Sequence, residues 1–288
     1  MTSQFKTFLL LGLLTAIILA VGQYFGGRGG LLIALALALI MNLGSYWYSD
    51  KIVLKMYKAR ELSASEAPML HEIIEELAHA ARIPKPRVFV VPQDTPNAFA
   101  TGRNPQNAAV AVTSGILRML DQEELRGVLA HETAHIAHRD ILIQCTAAVL
   151  ASTIMTIANI MQFTVIFGGG RSDEEGGGGN AAAALLTAFL APIAASLIQF
   201  AISRSREYLA DEGGALYSGK PLALASALGK LDSAARSLPI RAGNPSTAPL
   251  FIVNPFTASR MASLFSTHPP VAERIARLRD MASGLRRG

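Results

Sequence analysis

Chemistry is most concentrated in this chain at His131-Glu132-Thr133-Ala134-His135. Residues i and i+4 of a helix share a face, so both imidazoles can reach one Zn²⁺ at about 2.0–2.1 Å. Glu132 points in a neighbouring direction and can reach a water beside that ion. A lowered water pKa together with a carboxylate base is what metal-assisted hydrolysis requires. Residue frequencies alone produce the pattern in on the order of one chain in a hundred of this size, so its surroundings decide.

A catalytic zinc takes three protein ligands and keeps a fourth position open. Further along the chain reads Arg206-Glu207-Tyr208-Leu209-Ala210-Asp211. Glu207 and Asp211 again stand at i and i+4, so one carboxylate can bind metal while the other orients a ligand imidazole. A solvated acidic face would carry the same spacing. His138 continues the histidine face at i+7, but about 10.5 Å of helical rise separates it from His131. It is expected beside the ligands, not among them.

The elements that must position these groups are partly legible. Asp121, with Glu124 three residues on, has the capping-box pattern and opens the histidine helix. Leu70, Ile73, Ile74 and Leu77 recur at helical spacing within residues 65–83, and Pro84 follows. Arg87–Val91 reads as a strand, and Ala98–Thr101 and Ala108–Thr113 flank a hairpin connection. Beyond Ile202 the sequence predicts a helix through about Ser218 and a Pro- and Asn-rich stretch near Ile240–Thr257. A last helix starts near Val271, with Val271, Ile275 and Leu278 on one face.

Composition places this apparatus beside a bilayer. The 288 residues are 51% hydrophobic and 16% charged, against about 25% charged in soluble domains. The apolar surplus lies in four runs: Phe8–Val21, Leu31–Tyr48, Ile141–Phe167 and Ala181–Ile202. A helical crossing takes about 20 residues; the last three runs qualify and the first is marginal. A cleaved signal peptide is the rival reading of the first run. A second span follows at once across a glycine-rich junction, which argues against it. Lys6, Lys51, Lys55, Lys58, Arg60, Arg139, Arg204 and Arg206 flank one side of the spans, and Arg28 and Arg171 the other, so the former side is cytoplasmic. The net charge of +5 is thereby a topology signal. No basic-aromatic motif points to nucleic acid. The single cysteine, Cys145, excludes an intrachain disulfide and a multi-thiolate metal site.

Depth ties the two halves of the site together. His135 lies about 9 Å of helical rise before Ile141, and Glu207 about 7.5 Å after Ile202. An antiparallel pair of spans would bring both helices to one level below the membrane.

The sequence resembles the HtpX family of membrane zinc metalloproteases, which are similar in core to the CAAX prenyl proteases. The resemblance rests on Asn97–Gly102, His131–Asp140, Ser203–Asp211, Pro249–Phe256 and Thr267–Arg274. It implies one Zn²⁺ held by His131, His135 and Glu207, with Glu132 as base. It further implies substrate lying along Asn97, Ala98, Phe99, Ala100 and Thr101, and His268 and Arg274 supporting the oxyanion. Asp211 then falls to the shell behind the ligands, with His138, where relatives commonly have asparagine. The implied activity is quality control of damaged or misfolded membrane proteins in the cell's inner membrane.

The expected fold is an α-helical membrane protein with four transmembrane helices and an α+β cytoplasmic metalloprotease domain, zincin-like and of gluzincin type. Residues 1–48 supply two spans, 141–202 two more around an outside linker at 168–180, and 49–140 with 203–288 the protease. Expected partners are polypeptide substrates and lipid, with oligomeric state open. The alternatives are a protease for lipidated tails, and a scaffold binding metal without catalysis. A closed structural site would need a fourth protein ligand, and none stands beside the motif.

Overall fold

Alternation of side chains across a strand decides how the sheet sits. The computed structural model describes residues 3–167, 203–237, 250–253 and 269–285. Strands β1 (Arg60–Glu61), β2 (Arg87–Val91), β3 (Ala98–Gly102) and β4 (Ala108–Thr113) form one sheet in the order β1-β2-β4-β3. β2 and β4 are parallel, and the outer pairs are antiparallel. Val88, Ala98, Ala100, Val110 and Val112 face one core, and Phe89, Val91, Phe99, Ala109 and Ala111 face another. The sheet is therefore covered on both sides, and its alanines leave room for close-packed helices. β3 pairs with β4 antiparallel, as the sequence-predicted hairpin requires, and lies at the edge of the sheet.

The first core is built on helices α2 (Pro68–Ala80) and α4 (Gln122–Ala137). The predicted apolar face of α2 is buried at Leu70, Ile73, Ile74 and Leu77. Its stop comes before Pro84: Arg82 turns left-handed at φ 55°. Ile83 N then bonds to Ala78 O and Arg82 N to His79 O, a Schellman closure. α4 opens as expected. Asp121 accepts from the Glu123 and Glu124 amides, and the Glu124 carboxylate reaches back to Asp121 N. Such a cap contributes about 1 kcal/mol. Glu124 also accepts from Ser226 and Lys230, which pins the helix start to α7 (Pro221–Ser237). The short α3 (Ser114–Met119), capped by Thr113, precedes it.

α4 is buried around its whole circumference from Leu125 to Ile136, apart from a half-buried Arg126. Glycines make that possible. A Cβ on Gly127 would come 2.8 Å from Leu224 N, and one on Gly214 would come 3.0 Å from His131 N. α6 (Arg204–Ser218) and α7 thus press directly on the α4 backbone. α8 (Val271–Leu285) buries Leu278 completely, with Val271 and Ile275 partly buried beside it. Segments from both sides of α5 (Ile141–Phe167) therefore share a single core.

α1 (Ser3–Met56) is a helical hairpin, not one rod: Gly27 breaks it at φ 52°. Asn42 donates to Thr15 at 2.7 Å, and Gly22 and Gly30 meet where a Cβ would collide. Leu10, Leu11 and Leu14 pack on Ile143, Ala147 and Leu150 of α5. One stretch, Gly26–Met56, is long and apolar enough to cross a bilayer; Phe5–Ala20 and Ile141–Met155 are shorter apolar helices. The fourth run, the 168–180 linker and His268 lie outside the described residues.

Candidate metal centre

α4 and α6 carry the candidate ligands. His131 Nε2 stands 3.9 Å from Glu207 Oε2, and His135 Nε2 stands 3.6 Å from Glu207 Oε1. The two imidazoles are perpendicular, with centroids 4.8 Å apart. One donor atom from each of His131, His135 and Glu207 lies within 4.8 Å of the others, and all three residues are buried. Tetrahedral bonds of about 2.0–2.1 Å put donors about 3.3 Å apart, so an ion would draw the nearer pairs together by a few tenths of an ångström and the widest by up to about 1.5 Å. Gly214 sits two turns beyond Glu207 on α6, where its lack of a side chain lets the helix approach His131.

Electrostatics also fits a cation. Glu132, Glu207, Asp211 and Asp140 are all at most 5% exposed. Among the described residues, one buried guanidinium, Arg274, and the partly exposed Arg206 stand against them. Such an excess of buried carboxylate is costly unless balanced, and a divalent ion balances it. Burial by itself would lower the His135 pKa, but Asp140, Glu207 and Glu132 together raise it to about 9. Desolvation pushes Glu132 up, and the neighbouring histidines only partly oppose it. Asp211 is desolvated as well, but Arg274 and His131 hold it down at about 2.

The shell behind the ligands is specific. His131 Nδ1 lies 3.0 Å from Asp211 Oδ1, which fixes the ring with Nε2 toward the centre. Arg274 clamps the same carboxylate through Nε at 2.8 Å and Nη2 at 2.7 Å, and donates from Nη1 to Ile252 O. Its guanidinium is fully buried among these acceptors. In this arrangement Arg274 orients Asp211, and its Nη1 also stands 3.9 Å from Glu207 Oε2. His138 is exposed. It caps α4, and its ring makes no hydrogen bond or ion pair among the described residues. The place facing His135 is taken by Asp140, whose Oδ2 stands 3.6 Å from Nδ1 while Oδ1 accepts from Arg206 at 3.3 Å. A second Schellman closure brings it there: Arg139 is left-handed at φ 60°, and Asp140 N bonds to His135 O. The acid that ends the His131–Asp140 stretch was the available signal for it.

Glu132 Oε2 accepts from the Ala100 amide of β3 at 2.9 Å. Thr113 N bonds to Asn97 O on the β4 side, so by antiparallel alternation Ala98, Ala100 and Gly102 turn their backbone groups to the open edge. Asn97 holds the Leu250–Val253 segment against that edge, donating to Leu250 O and accepting from Ile252 N. Phe99, Ala100, Glu132, Gln144 and Phe251 enclose the centre with the ligands, leaving a cavity of about 10 Å³. That is about one water's worth of space.

Residues 64–282 match peptidase family M48. The chain belongs to that family. A protease HtpX homolog of Syntrophobacter fumaroxidans is 56% identical over 282 residues, 98% of this chain and 100% of its own length. One from Pyrococcus furiosus is 56% identical over 277 residues, 96% of this chain and 95% of its own. Among solved structures, Ste24p of S. mikatae aligns with 93% of this chain at TM-score 0.49 and 19% identity, and the chain spans 62% of its length. As a member of family M48 with full-length HtpX relatives, the chain is a membrane metalloprotease, and the His131–His135–Glu207 cluster is its candidate metal site.

Proposed function

We propose that the chain is a zinc endopeptidase that cleaves damaged or misfolded membrane proteins on the cytoplasmic side of a four-span anchor in the inner membrane. The observation that carries this is the convergence of two histidines, a glutamate from another helix and a separate carboxylate on one enclosed point. The His₂Glu donor set suits zinc. When bound there, zinc supplies Lewis acidity, polarising the scissile carbonyl and lowering the pKa of the attacking water.

The chain's own residues do the rest. Asp211 and Arg274 hold the His131 ring in one tautomer and orientation. Glu132, fixed by the Ala100 amide, takes the proton from the attacking water and passes it to the leaving amine. An extended substrate adds to the edge of β3 along Asn97–Thr101, pairing with the outward groups of Ala98 and with the Ala100 carbonyl, while the Ala100 amide stays on Glu132. His268 is the proposed donor to the developing oxyanion.

Protein purified in detergent under chelator is expected to leave casein intact, and to cleave it once zinc is added. Undiminished cleavage under chelator would remove the metal from the reaction.

A further inference from the structure

The apolar run Leu31–Tyr48 rises about 27 Å as a helix, close to the roughly 30 Å hydrocarbon thickness. It ends in Trp47 and Tyr48, which are 50% and 54% exposed, and aromatic side chains of this kind settle at the membrane–water boundary. Beside them opens a cavity of about 490 Å³, within the size range of small-molecule sites. Its wall carries four cations from three parts of the chain: Lys51 of α1, Lys85 and Arg87 before and in β2, and Arg103 of the β3–β4 hairpin. Arg103 lies over the Trp47 ring at 4.5 Å, and Lys51 over Tyr48 at 5.3 Å.

Carboxylates satisfy only part of this charge. Lys85 pairs with Glu75 at 2.8 Å, and Arg87 is shared between Asp50 at 3.3 Å and Glu61 at 4.0 Å. Asp50 is the one acid in the cavity wall. Lys51 and Arg103 have no carboxylate within ion-pair distance among the described residues and meet only aromatic faces. Two unneutralised cations and two more shared ones, over an aromatic ledge at the end of an apolar span, make a site for a phosphate diester whose tails lie in the bilayer.

We propose that this cavity binds the headgroup of an anionic phospholipid. The site matters to the reaction because of where Arg103 sits. It follows β3 directly, three residues beyond the Ala100 amide that fixes Glu132. A bound headgroup bridging Lys51 and Arg103 ties the hairpin to α1 and steadies the edge strand proposed to take substrate. That last consequence rests on the proposed protease reading, whereas the binding itself does not.

Trp47 is the chain's single tryptophan, so its emission reports on the cavity alone. Short-chain phosphatidylglycerol, titrated into the full chain in neutral detergent, is expected to change that emission saturably. Short-chain phosphatidylcholine should not. Lys51→Gln with Arg103→Gln should weaken the response by about tenfold or more, since each basic group near an anionic surface counts for about a fivefold factor. Lys51→Arg should restore most of it in the presence of Arg103. Both variants should keep the wild-type unfolding temperature, which separates lost binding from lost fold. An equal response to inorganic phosphate would make this a soluble-anion site and overturn the lipid assignment. So would displacement by an acidic peptide with no lipid response, or an unchanged affinity in the double variant. Casein cleavage on zinc addition, measured in parallel, tests the protease reading separately.

Discussion

Glu132→Gln is expected to retain stoichiometric zinc while peptide hydrolysis falls by about 10²–10⁴-fold, the range for a lost acid–base group. The substitution preserves shape, and the amide oxygen still accepts from the Ala100 N–H that now holds Oε2 at 2.9 Å. What disappears is the ability to accept a proton. Because the proposed metal donors belong to His131, His135 and Glu207, none is removed. Metal content by mass spectrometry and turnover on a membrane-protein substrate together decide the matter. Wild-type turnover would end Glu132's role as base. Loss of zinc would make it a structural support.

Glu207→Ala is expected to reduce bound zinc from one equivalent to background and to abolish hydrolysis with it. Two histidines from one helix would be left, and a catalytic site requires a third protein donor. Asp211→Asn is the informative companion. Asp211 touches His131 and not the centre, so its neutralisation should weaken zinc by about 10–100-fold without eliminating it. Removing the whole side chain would be a poorer test. A buried arginine stripped of its partner costs about 3–5 kcal/mol, and Arg274 is fully buried, so Asp211→Ala risks the fold. Full occupancy in Glu207→Ala, measured by the same mass spectrometry, would defeat the three-donor assignment.

How much of this was readable depended on distance along the chain. The capping box at Asp121 and Glu124 and the i, i+4 histidines are local patterns, and α4 forms as they dictate. The β2 and hairpin strands follow from β-branched runs and a turn-rich connection. α7 is absent from the sequence reading, although Leu224, Leu228 and Leu231 recur at helical spacing behind Pro221. Its alanines and lack of chemistry make it easy to take for connection. The role of Arg274 is illegible in principle. Its partner Asp211 is 63 residues away, and only the packing of α8 on α6 and α7 brings the two together. Asp140 went unremarked in the sequence, where His138 drew attention by continuing a helical face. The left-handed Arg139 ends that helix and turns the acid inward instead.

The same turn has a consequence for which bonds are cut. Asp140 N–H closes on His135 O at 2.9 Å, so α5 begins within about 10 Å of a ligand histidine by ordinary bond lengths. If α5 enters the bilayer at Ile141, the centre hangs from the membrane on a tether too short to swing. An extended substrate advances about 3.3 Å per residue, so the scissile bond would lie only a few residues from where that substrate leaves the lipid. The enzyme would then choose bonds as a ruler does, by distance and not by side chain. Inserting spacer residues between a substrate's transmembrane segment and its loop should leave the cut at the same distance from the membrane, now in new sequence. Cuts that travelled with the original sequence would show that side-chain recognition governs.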